Sequence, residues 1–138
     1  MSGEQGTFFR LDRTTERFEA RPVQYQGSLF GVVDAGDAVL TFGLKGNVFR
    51  SADGGTTWAT VPSQLAATVV GGATLGPGDV VLADQGGRVV RSRDGGQTFE
   101  KVALPQARPI TSVIDAGGGR LGVTGPFGVA IVGMGAAP

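Results

Sequence analysis

Ser51-Ala52-Asp53-Gly54-Gly55-Thr56-Thr57-Trp58 recurs as Ser92-Arg93-Asp94-Gly95-Gly96-Gln97-Thr98-Phe99, with Asp53 and Asp94 set 41 residues apart. A fixed spacing of this length marks a repeat architecture rather than a catalytic motif. The octad has the chemistry of a tight turn. Its Asp accepts from backbone N–H groups just after it, its two glycines supply positive φ without steric cost, and its Thr hydroxyl closes the loop. Asn47-Val48-Phe49-Arg50 and Arg88-Val89-Val90-Arg91 lead in; Trp58-Ala59-Thr60-Val61 and Phe99-Glu100-Lys101-Val102 lead out. These β-branched and aromatic runs read as strands, so each octad is a hairpin tip. A lone hairpin cannot bury its own apolar face, and the closing aromatic is expected to pack against the next repeat.

The 41-residue ruler recovers more copies. Gly46, Gly87 and Gly128 fall in phase, each before a hydrophobic strand, which gives a third repeat. Upstream, Phe8 to Phe18 keeps strand, turn and closing aromatic but has lost the glycines, and reads as a degenerate copy. The first full repeat divides into strands at 28–34, 38–43, 47–51 and 58–61, the second at 68–75, 80–84, 88–92 and 99–102. The third supplies only 110–116, 121–125 and 129–133. Four antiparallel strands per roughly 40 residues make one blade of a β-propeller, so the expected fold is all-β, with about three blades in this chain. The corresponding division is one partial propeller domain over 1–138: an outer half-blade at 7–21, blades at 22–61 and 62–102, and an incomplete last blade at 108–133. The nearest helix candidate, Gln64 to Thr68, is too short.

The two octads resemble the Asp-box, or bacterial neuraminidase repeat, with pattern Ser/Thr-x-Asp-x-Gly-x-Thr-Trp/Phe. Ser51, Asp53, Gly55, Thr57 and Trp58 match it, as do Ser92, Asp94, Gly96, Thr98 and Phe99. The resemblance implies a structural role for these ten residues. It does not imply one function, because the same box occurs in sialidases, other glycosidases, sortilin-type receptors and non-enzymatic assembly factors. Gly27-Ser28-Leu29-Phe30-Gly31, then Phe42-Gly43-Leu44-Lys45-Gly46-Asn47 and the box, make roughly residues 22 to 133 similar to the photosystem II assembly/stability factor family of bacterial proteins. Known members of that family help to assemble membrane complexes.

Composition narrows the chemistry. Twelve basic residues balance twelve acidic ones, so no global field draws nucleic acid or an anionic membrane, and no nucleic-acid partner is expected. The chain has no Cys and no His, which removes thiol chemistry, disulfides, imidazole bases and the common zinc ligands together. Asp53 and Asp94 each stand alone where a calcium loop has several carboxylates, so no metal or other cofactor is expected. Gly117-Gly118-Gly119-Arg120-Leu121-Gly122 fits G-x-G-x-x-G formally, yet Leu121-Gly122-Val123-Thr124 continues as a strand where a dinucleotide site opens a helix. Its expected role is a glycine-rich turn.

A sialidase needs an arginine cluster, a Tyr activated by a Glu, and an acid Asp. Tyr25 is the sole tyrosine, and Glu4, Glu16, Glu19 and Glu100 fall in the termini or on outer strands, with no carboxylate pair on inner strands. The chain is therefore expected to be non-catalytic, a protein-binding or assembly-factor module. The alternative is a fragment of a sialidase-like glycoside hydrolase propeller lacking its catalytic residues. On propellers, the loops joining second to third strands and blade to blade share one face. Here those loops carry Tyr25, Lys45, Gln85, Arg88, Arg108 and Phe127, a mix of aromatic, basic and amide groups suited to a protein partner; the family resemblance implies a membrane complex as one candidate. Three blades do not close a ring, so a homodimer or completion by missing blades is expected. Met1 to Gly6 is polar and no apolar run reaches spanning length, so no direct membrane insertion is expected. Location stays open, with a periplasmic or extracytoplasmic site following if the full-length gene carries an export signal.

Overall fold

The computed structural model describes residues 1–135. Thirteen strands among these form four antiparallel sheets, and every strand pairs with its neighbour in sequence. β1 (Thr7–Asp12) and β2 (Arg17–Pro22) make an N-terminal hairpin. β3 (Leu29–Asp34), β4 (Val39–Gly43), β5 (Val48–Ser51) and β6 (Ala59–Val61) form the first four-stranded sheet. β7 (Val69–Gly76), β8 (Asp79–Asp84), β9 (Val89–Ser92) and β10 (Glu100–Val102) form the second. β11 (Ser112–Gly117), β12 (Arg120–Gly125) and β13 (Gly128–Gly133) form a three-stranded sheet whose outer edge is free among the described residues. The single helical element among the described residues is a 3-10 turn at Leu44–Gly46. Gly117, Gly118 and Gly119, all at positive φ, make the turn between β11 and β12.

The sheets stack face to face, and strand alternation decides which residues meet. Successive side chains of a strand point to opposite faces, so Val80 and Leu82 bury against the first sheet with Leu40, Phe42 and Val48. Val81 and Ala83, one residue out of step, bury against the third sheet with Val113, Leu121 and Val123. The second sheet is thus covered on both faces. Near the first strands of the first two sheets the Thr74 hydroxyl donates to the Asp34 carbonyl at 2.6 Å.

Three details depart from the sequence reading. The closing aromatics pack backwards, not forwards: Trp58 meets Phe8 of the preceding hairpin edge-on, with centroids 5.0 Å apart, and Phe99 lies in the core shared with the first sheet. The cause is the glycine turn, which leaves room for a side chain of the preceding sheet. A Cβ on Gly55 would sit 2.5 Å from Phe8, and one on Gly96 2.5 Å from Leu40. The hairpin is also more than two strands, because Met1–Gly3 runs beside β1 through Gly3 N–H to the Thr7 carbonyl (2.9 Å) and a bridge between Ser2 and Phe8. Finally, the third repeat slips by one residue. Gly125 pairs with Gly128 across a two-residue turn, and Val123 faces Ala130, whereas in the second sheet Leu82 faces Val90.

Candidate functional site

Close backbone approaches gather the connecting loops at one end of the stack. A Cβ on Gly46 would lie 1.9 Å from the Leu65 carbonyl oxygen, one on Gly87 2.1 Å from that of Arg108, and one on Gly125 2.2 Å from that of Pro109. The turns between second and third strands of the first two four-stranded sheets are therefore seated on the connector that enters the next sheet, whereas Gly125 touches the connector that enters its own sheet. The first two of these glycines have φ of +73° and +94°, which combines with the contact to exclude any side chain. Ser63 reinforces the first seat, its hydroxyl donating to the Gly46 carbonyl at 2.7 Å.

This end carries the six residues singled out for partner binding. Lys45, Gln85, Arg88 and Arg108 are exposed. Arg108 lies over the ring of Phe127, 5.2 Å from its centroid, and this cation–π pair joins a connector to the β12–β13 turn. Tyr25 turns inward instead: its ring packs on Phe49 at 5.1 Å and its hydroxyl accepts from the Asn47 amide at 3.2 Å. That leaves Tyr25 pinning the first connector, with Asn47 a partner that the sequence did not single out.

Asp84 is a second residue missed by sequence reading. It is fully buried at the end of β8, with Oδ1 accepting from the Arg88 N–H at 2.9 Å and Oδ2 unpartnered. The signal was available, since Gly43 and Gly125 stand 41 residues to either side of it.

The octad loops occupy the opposite end. Asp53 Oδ1 accepts from the N–H groups of Thr56 (3.0 Å) and Thr57 (2.8 Å), and the Ser51 hydroxyl donates to it at 2.8 Å while accepting from the Gly55 N–H at 2.8 Å. The Thr57 hydroxyl donates to Oδ2. Asp94 repeats the pattern with Gln97 and Thr98 N–H groups, the Ser92 hydroxyl and the Thr98 hydroxyl. Donation by Thr57 and Thr98, first from the hydroxyl and then from the N–H, holds both carboxyls down to about 2. Each carboxylate is spent on its own turn. Arg50 stitches neighbouring repeats, its Nε donating to the Gly95 carbonyl at 2.8 Å, while Arg91, its counterpart, instead forms a bidentate pair within its own sheet with Asp79 at 2.8 and 2.7 Å.

Among the described residues no three His, Cys, Asp or Glu side chains gather as a metal site, and no helix is long and apolar enough to cross a membrane.

No family model and no curated protein matches the chain. Its similarity is to solved structures. One is YCF48 bound to D1 peptide, with a TM-score of 0.64 and 14% identity over 75% of this chain and 36% of that one. Another is an ancestral GH74 enzyme, with a TM-score of 0.69 and 13% identity over 96% of this chain and 22% of that one. Stacked antiparallel sheets of four strands, matched on both, decide the fold. The chain is an arc of a β-propeller. Its sheets are blades, with β3, β7 and β11 opening the three successive blades. The arc spans well under half the length of either propeller-containing neighbour.

Proposed function

We propose that this propeller arc is a non-catalytic protein-binding module of the assembly-factor type, and that its loop end receives the partner. The observation that carries the reading is the Arg108–Phe127 pair, which sets a cation and an aromatic together on the loop end that also exposes Lys45, Gln85 and Arg88. Aromatic and arginine side chains supply most hot-spot energy in protein interfaces. The likeness to YCF48, a propeller solved with a D1 peptide bound, supports a polypeptide ligand. The resemblance of roughly residues 22 to 133 to the photosystem II assembly/stability factor family supports a membrane complex as the client. In this reading the ten octad residues are structural, since their polar groups are consumed within the turns.

The test is capture of a client by the full chain from the host's membranes, followed by titration with the purified client. Arg88→Glu and Arg108→Glu should each weaken saturable binding at least ten-fold while leaving the melting curve unchanged. Equal binding by both variants would remove the loop end from the proposal. A second reading, a glycoside hydrolase piece lacking its catalytic residues, draws on the likeness to a GH74 enzyme and on the box itself. The purified chain should therefore show no turnover of sialosides or other glycosides. Turnover that survives repurification and vanishes on replacing one carboxylate would favour the hydrolase reading.

A further inference from the structure

The middle blade keeps, with smaller side chains, a place that the first blade fills with two aromatic rings. In the first blade the Tyr25 ring packs on Phe49, centroids 5.1 Å apart, and its hydroxyl accepts from the Asn47 amide. Backbone contact identifies the counterpart of Tyr25. A Cβ on Gly6 would lie 1.7 Å from the Tyr25 carbonyl oxygen, and one on Gly46 1.9 Å from that of Leu65, so Leu65, 40 residues on, takes the same place. Strand pairing identifies the others. Phe49 pairs with Thr60 and Val48 with Val61, as Val90 pairs with Lys101 and Val89 with Val102. Val90 therefore stands for Phe49, and Arg88 for Asn47.

Two rings have become two aliphatic groups, and a cleft of about 330 Å³ opens beside them, walled by Leu65, Val90, Val102 and Leu104. Its volume lies within the range of roughly 300–1,000 Å³ usual for ligand sites. The walls come from the middle blade and the two connectors that flank it. Gln64 holds one of these connectors in place. It sits at a φ of +62°, a costly conformation for a side chain that surrounding contacts must sustain, and its amide donates to the Phe99 carbonyl. Arg88 and Lys101 are exposed on the same cleft, and neither belongs to an ion pair among the described residues. The lining thus joins an apolar floor to two uncompensated cations.

We infer that this cleft receives a tyrosine side chain of a partner polypeptide, flanked in the partner's sequence by carboxylates. The ring lies on Leu65 and Val90, its hydroxyl oxygen accepts from Arg88 as that of Tyr25 accepts from Asn47, and a flanking carboxylate meets Lys101. This deepens the protein-binding reading and rests on it, by naming what the partner presents at the loop end. The ring has to come from another molecule. Tyr25 is the sole tyrosine and is committed to the first blade. A connector tyrosine is also barred from the middle blade, because a Cβ on Gly27 would lie 2.2 Å from the Tyr25 hydroxyl and the counterpart of Gly27 is Ala67.

The probe is the synthetic peptide acetyl-Asp-Tyr-Asp-amide, titrated against the full chain by calorimetry, with amide resonances mapping the contact. Saturable binding that shifts Leu65, Arg88, Val90 and Lys101 and leaves Asn47 and Phe49 in place is expected. Replacing the peptide's tyrosine with leucine, or both aspartates with lysine, should weaken binding at least ten-fold, comparisons that leave the protein untouched. Free N-acetyltyrosinamide should compete at least ten-fold more weakly than the peptide; equal affinity would assign the cleft to small phenols and overturn the partner. On the protein side Ala107→Phe, which fills the cleft from an exposed wall, should abolish binding without lowering the melting midpoint. Lys101→Glu should reverse the preference between aspartate-flanked and lysine-flanked peptides. Equal binding by the leucine peptide, shifts confined to the first blade, or undiminished binding by Ala107→Phe would each overturn the inference. If every peptide fails while Arg88→Glu still loses the client, the loop-end reading stands and the cleft site falls.

Discussion

Ser51 and Ser92 do more for the octad turns than their size suggests. Each hydroxyl is buried, donates to the Asp carboxylate and accepts from the second glycine N–H, so it closes the turn from inside. Removing it leaves a buried N–H without an acceptor. Ser51→Ala or Ser92→Ala is expected to cost about 1–3 kcal/mol in a urea melt, and an unchanged midpoint would mean that water replaces the hydroxyl. The carboxylates make the same turns acid-sensitive. Asp53 and Asp94 titrate at about 2 in the folded chain, below the value of roughly 3.9 for an unfolded Asp. Their contribution is fully present above about pH 5 and is lost as pH falls from about 4 towards 2. Melting temperature should be flat down to about pH 5 and decline below it, less steeply in Asp53→Asn.

At the scale of the element, the blades were legible because short β-branched runs separated by glycine turns leave little else for the chain to do. Expected and observed strands differ by one or two residues, as where β11 starts at Ser112 and leaves Ile110 buried on the connector. The direction in which Trp58 and Phe99 pack was not legible. A period of two says that a side chain leaves the strand's plane, but not which neighbour waits on that side. Space decided it, since Gly55 and Gly96 admit Phe8 and Leu40 from the preceding repeat. The one-residue slip of β13 escaped for a related reason: Gly128 keeps the sequence phase and a positive φ of 99° while the turn before it loses a residue. Glycine substitutions separate backbone from packing here. Gly96 and Gly117 share positive φ, but a Cβ on Gly117 meets nothing within 4 Å whereas one on Gly96 strikes Leu40. Gly117→Ala should cost about 1–2 kcal/mol, the left-handed penalty alone, and Gly96→Ala clearly more. Equal midpoints in the two melts would show that Leu40 yields.

The molecule as a whole is an arc with two unlike ends. Ile114, Val129 and Ile131 are exposed on the last blade, and Leu11 and Phe18 on the N-terminal hairpin. Uncovered apolar faces of this kind favour association, and a homodimer or further blades would cover them. Light scattering after size exclusion at low micromolar concentration is expected to give twice the chain mass; a well-folded, concentration-independent monomer would rule the dimer out. The proposed partner-binding surface was only half legible from sequence. Loop membership could be read from the repeat, which put Arg108 and Phe127 on connecting loops, but the inward turn of Tyr25 depends on Asn47 and Phe49, which come close only in the folded chain.

Because each described strand pairs only with a neighbour in the chain, the formation of each sheet is local. No sheet has to wait for a distant segment, which keeps the loop-closure entropy of early steps low and favours rapid formation of single hairpins. A blade so formed still has two bare faces, and only stacking makes it durable. The middle blade, gripped from both sides, is therefore the natural nucleus, with order spreading outwards to ends that remain the first to fray.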